Sequence, residues 1–146
     1  MVMAAVAVPQ RRRHKLARHV DEHRIRAAID AAEARTTGKL HVTLSHDFRG
    51  ATIDHAMALF RRLRLDRTPE HNGVLFFVVP ARREFAIVGD AGIHTKVGQE
   101  FWDRVVGAMS AAITASYLTG GLIHGIEEAG NELATHFPRL GAQPER

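Results

Sequence analysis

The chain has 146 residues, with 20 Lys and Arg against 16 Asp and Glu and no cysteine. That length points to a single domain able to bury a core of its own. The lack of cysteine excludes disulfides, thiol catalysis and zinc sites built on thiolates.

Spanning a bilayer as a helix takes about 18 or more consecutive apolar residues, and no run in this sequence is that long. Residues 1–8 are apolar but precede Arg11, Arg12 and Arg13. A secretory signal carries its positive charge first, so the order predicts a cytoplasmic protein. Residues 1–17 are expected to form a flexible basic tail. Residues 1–67 hold 14 basic and 7 acidic side chains, and residues 68–146 hold 6 and 9. The excess comes from the run at residues 11–18 and from Arg61, Arg62, Arg64 and Arg67. Such patches attract phosphates and anionic lipid. Phe60, just before the second cluster, is the only aromatic residue beside either, so neither offers the stacking surface of a nucleic-acid binder. No specific nucleic-acid partner is expected. Weak contact with an anionic membrane and an unidentified protein partner remain as expectations.

In chain order, residues 20–35 read as a helix, with Ile25, Ile29 and Ala32 on one face. Residues 40–44 alternate apolar and polar, as in a half-buried strand. After a polar loop at 45–50, residues 54–65 form a second helix. Thr52 is its expected cap, and Ile53, Ala56, Met57, Phe60 and Leu63 are expected to face inward. Val74 to Val79 is an unbroken apolar run between Asn72-Gly73 and Pro80, the pattern of a strand covered on both faces. A short polar connection leads to residues 85–88, so these two strands form an antiparallel hairpin. Residues 89–98 are expected as a loop and 99–116 as a helix. A break is expected at 117–121. A last helix at 122–136 ends before Pro138, and residues 139–146 are expected as a tail. The order is α-β-α-β-β-α-α: an α/β (α+β) fold with a central mixed sheet and helices on both faces.

This topology selects a polar edge. Gly89-Asp90 leaves one strand beside the entrance of its partner at His71-Asn72-Gly73, and His94, Glu100 and Asp103 follow nearby. Asp90, Asn72 and Glu100 carry oxygens suited to a hard cation such as Ca²⁺ or Mg²⁺. His71 and His94 could serve acid–base chemistry or softer metals. The competing expectation is plain turn chemistry, with Asp90 capping backbone amides. Ser45, His46 and Asp47 fall at the opposite edge, near Pro80. His19 and His23 stand four apart without the glutamate of a zinc-protease motif. The sequence holds no nucleophile elbow and no phosphate-binding glycine loop.

Asn72-Gly73-Val74-Leu75-Phe76-Phe77-Val78, Phe85-Ala86-Ile87-Val88-Gly89-Asp90-Ala91-Gly92-Ile93-His94, Phe101-Trp102, Gly121-Leu122-Ile123-His124-Gly125-Ile126, Gly130 and Phe137-Pro138 together resemble the TPM domain family. The resemblance spans roughly residues 20–138, with the domain placed at 18–138. This family includes a thylakoid-lumen protein, a photosystem repair factor and many bacterial proteins. It implies a mixed sheet between helices. Many members carry a signal peptide and a trailing membrane helix; this sequence resembles a short cytoplasmic branch. The resemblance also implies a divalent-cation site near an acidic residue before Asn-Gly-Val-Leu, where this sequence has His71. The family is sometimes labelled a phosphatase domain, but no catalytic residue is carried over. The reading is a non-enzymatic binding or assembly module, with a metal-assisted phosphatase and an anionic-membrane docking module as alternatives.

Overall fold

In the computed structural model, residues 3–6, 20–113 and 118–139 are described. The basic run at 11–18, His19, Tyr117 and residues 140–146 lie outside them.

Helix α1 spans Glu22–Glu33 and begins on Asp21, whose carboxylate accepts from the Arg24 amide at 3.1 Å. Strand β2 follows at Lys39–Leu44, helix α2 at Thr52–Arg62, strand β3 at Gly73–Val79 and strand β4 at Glu84–Gly89. Strands β2 and β3 are parallel, joined by the α2 crossover, and β4 returns antiparallel. The mixed sheet and the element order are those read from the sequence. A further strand, β1 at Met3–Val6, precedes them and pairs antiparallel with β4, giving the order β1-β4-β3-β2. These four residues fall within the stretch expected as a tail. Their backbone completes the ladder that β4 would otherwise leave open on its second side.

All of β3 is buried, as an unbroken apolar run between two layers requires. Val74, Phe76 and Val78 pack with Phe85 and Ile87 toward α1, α3 (Ala91–Ala112) and α4 (Leu118–His136). Leu75, Phe77 and Val79 pack with Ala86 and Val88 toward Ala56 and Phe60 of α2. The alternation along β3 thus divides the core between the two faces.

Four local expectations change. Residues 91–97 are helical, because Asp90 provides a cap and starts α3 early; Gly98, at φ +77°, breaks that helix before Gln99. The last helix begins at Leu118, so Gly120 and Gly121 lie inside it. A Cβ on Gly121 would stand 2.2 Å from Ile113 Cγ1, so this glycine marks close helix packing and not a break. Thr52 lies within the first turn of α2. The cap position is Ala51, and the Thr52 hydroxyl donates to Glu84 instead. Leu63 follows the last turn of α2 and is exposed.

Candidate functional site

The hairpin register aligns Val74 with Gly89, and the Asp90 amide donates to the Gly73 carbonyl at 3.0 Å. This fixes Asp90 beside the loop that enters β3. His71 in that loop takes a left-handed conformation, φ +53°. Its carbonyl accepts from the Ile93 amide at 3.2 Å, seating the first turn of α3 on the loop. Gly92 allows this approach, since a Cβ there would stand 2.2 Å from the Glu70 carbonyl oxygen.

The Asp90 side chain is 5% exposed. One oxygen accepts from the Ala91 amide at 2.7 Å, and the other meets His71 Nδ1 at 3.2 Å. Asp90 therefore caps α3, where a negative charge also complements the helix dipole. The His71 side chain remains 57% exposed. Asn72 is buried within a separate net. Its Nδ2 donates to Thr37 Oγ1 at 3.0 Å, and its Oδ1 accepts from Thr68 Oγ1 at 3.1 Å. The Asn72 amide donates to that same Thr68 oxygen, and Thr37 Oγ1 donates to Glu70 Oε1 at 2.5 Å. His94 joins the edge through its amide, bonded to the Asp90 carbonyl at 2.9 Å. Its Nδ1 accepts from the buried Trp102 indole at 3.2 Å.

The structure thus brings His71, Asn72, Asp90 and His94 to one edge. Glu100 is exposed beyond the Gly98 break. Asp103 accepts from Gln99 Nε2 at 2.9 Å on the same exposed stretch. Among the described residues, no three His, Asp or Glu side chains form a group able to hold a metal. Thr37, Thr68 and Glu70, absent from the sequence reading, supply much of the polar net.

At the opposite edge, Arg82 in the turn Pro80–Arg82 gathers the loop before α2. It donates to Asp47 Oδ1 at 2.6 Å, to the Gly50 carbonyl at 2.7 Å and to the Phe48 carbonyl. Its guanidinium lies 4.2 Å from the centre of the Phe48 ring, which stacks on His55 at 3.8 Å. The Arg82 hydrogen bond, then the Phe48 amide, hold the Asp47 carboxyl below its ordinary range. On β2, burial and then the charge of Arg26 hold the His41 imidazole low.

A central mixed sheet between helices, with an Asn-Gly entrance facing a Gly-Asp exit, defines a domain class that comparison with known proteins identifies. The TPM domain matches residues 16–132, and the chain belongs to that family. It is similar to the BA42 protein of the psychrophilic bacterium Bizionia argentinensis, solved by NMR, with 34% identity and a TM-score of 0.75. The likeness covers 87% of this chain and 90% of that one. No curated protein matches the chain.

Proposed function

We propose that this TPM domain is a non-enzymatic binding and assembly module. The observation that carries this reading is the engagement of the polar edge in the fold itself. Asp90 caps α3 and holds His71, while the neighbouring hydroxyls of Thr37 and Thr68 donate within the Asn72 net. A hydroxyl tied to a carboxylate or amide in this way is poorly placed to attack a substrate. A Ca²⁺ or Mg²⁺ ion at this edge would draw on Asp90, Asn72 and Glu100. The residues fit such an ion poorly, because hard cations take six or more oxygens. Here both Asp90 oxygens and the Asn72 carbonyl oxygen already accept hydrogen bonds. Purified protein should therefore show no phosphomonoesterase turnover with a chromogenic aryl phosphate, with or without Ca²⁺, Mg²⁺, Mn²⁺ or Zn²⁺. Residue-resolved NMR with the same ions should show no saturable shift at Asp90, Asn72 or Glu100. Turnover abolished by Asp90→Ala in a folded protein would overturn the reading, as would a saturable ion site at that edge.

A second reading rests on the end of α2, where Arg61, Arg62, Arg64 and Arg67 are all exposed around Leu63. That combination suits an anionic surface. No helix among the described residues is long and apolar enough to cross a membrane, so contact would be peripheral. Co-sedimentation with phosphatidylglycerol vesicles, lost in high salt or on replacing the four arginines, tests it. Equal sedimentation with neutral vesicles would refute it.

A further inference from the structure

Strand β2 is the last strand of the sheet, with no strand on its outer side among the described residues. The Lys39 amide donates to the Asn72 carbonyl and the Ser45 amide to the Val78 carbonyl. Odd-numbered positions therefore turn their backbone groups toward β3, and Leu40, Val42 and Leu44 turn theirs outward. Glu33 guards the first of these, its Oε2 accepting from the Leu40 amide at 2.8 Å. Val42 and Leu44 have no comparable guard among the described residues. The side chains of Leu40, Val42 and Leu44 border a groove of about 460 Å³ between β2 and α1, with Ile25 and Ile29 on its other wall. Leu44 is 38% exposed, one of two large apolar side chains left open among the described residues.

We infer that this edge pairs with a second copy of the chain, β2 against β2, antiparallel about a two-fold axis through Thr43. The inference rests on the assembly reading above and names its partner. The charge pattern selects the register, since only an axis through Thr43 brings Lys39 opposite Asp47. That axis turns the Leu40 amide toward the partner's His46 carbonyl, which takes over as acceptor from Glu33. It sets Val42 opposite the partner's Leu44, with backbone bonds in both directions. Both side chains then fall on the α1 face at the mouth of the groove, and the exposed Leu44 gains an apolar neighbour. On the other face Thr43 meets the partner's Thr43, and His41 meets the partner's Ser45. Lys39 comes opposite the partner's Asp47. Both are exposed, and the symmetry repeats the pair at the other end. An edge lysine ordinarily discourages strand addition; in this register it faces a carboxylate. The product is a continuous sheet with the two β1 strands at its outer edges.

Sedimentation equilibrium of the full chain, from low micromolar to near-millimolar concentration, tests the pairing. A monomer–dimer equilibrium is expected that weakens with salt, with amide exchange at Val42 and Leu44 slowing as concentration rises. Lys39→Glu and Asp47→Lys should each raise the dissociation constant about tenfold or more, since two attractive cross-strand pairs become repulsive. Mixing the two variants should restore association, because each charged pairing in the mixed dimer then joins opposite signs. Should Asp47→Lys loosen its own loop, as circular dichroism would show, Lys39→Glu and the salt dependence decide the matter. A chain monomeric throughout would overturn the inference, as would a dimer indifferent to Lys39→Glu. Either result leaves the absence of turnover to be judged by its own assay.

Discussion

Asp90→Ala separates a structural carboxylate from a ligand-binding one. The substitution removes the acceptor for the Ala91 amide, which costs about 1 kcal/mol for a helix cap. It removes a negative charge at the start of α3, about 0.5 kcal/mol. It also removes the contact with His71, about 0.5 kcal/mol because that ring is largely exposed. The total is about 2 kcal/mol, equivalent to a fall of about 4–8 °C in Tm for a chain of this size. Asp90→Asn keeps a capping oxygen and should lose about 1 kcal/mol or less. Urea unfolding followed by circular dichroism measures both, with an unchanged m value showing that the unfolded state is not the source. Asp90→Ala within about 0.5 kcal/mol of the parent would refute the capping argument. Asp90→Asn as damaging as Asp90→Ala would show that charge, and not the cap bond, dominates.

Phe76→Ala should cost about 3–5 kcal/mol by urea unfolding, because Phe76 is 1% exposed in the central strand; a loss below about 1 kcal/mol would count against that packing. Arg82→Lys cannot reach Asp47, Phe48 and Gly50 together, so the 45–51 loop should be cleaved faster in limited proteolysis. Cleavage at the parent rate would contradict the clasp. His41 binds a proton less readily folded than unfolded, so its contribution to stability is complete above about pH 6.5 and is lost as pH falls through its lowered value. His41→Gln should flatten the fall in urea stability between about pH 7 and pH 5, and identical slopes in the two proteins would refute the assignment.

The sheet and its core were legible because their signals are local. Val74 to Val79 carries no polar alternation, and the short connection after it forces a hairpin. That hairpin is also why the convergence of Asn72 and Asp90 on one edge could be read before any coordinates. The start of α3 was hidden by glycines that resemble a loop: Gly92 is there for the close approach of Glu70 and His71, and only Gly98 interrupts the helix. Gly121 misled in the same way, since a packing glycine and a breaking glycine look alike in one sequence. The partners of Arg82, and Thr37 among those of Asn72, come from segments about 30 residues away, and no periodicity encodes such pairings. Trp102 and His94 meet only because the chain turns at Gly98, so their spacing alone gave no sign.

The buried Thr36 has a consequence for the order in which the molecule assembles. Its hydroxyl donates to the carbonyls of Leu133 and Phe137, and the Thr37 amide donates to Phe137 as well. Thr36 and Phe137 are 101 positions apart, so their contact closes most of the domain into one loop. Contacts of such long range carry a large closure entropy and tend to form after the local ones. The sheet and its helices should therefore be largely in place when the end of α4 locks onto the α1–β2 connection. On that order, Thr36→Val would leave the refolding rate nearly unchanged and accelerate unfolding. The same latch would then govern how long the native state lasts, making the far end of the chain a determinant of kinetic lifetime.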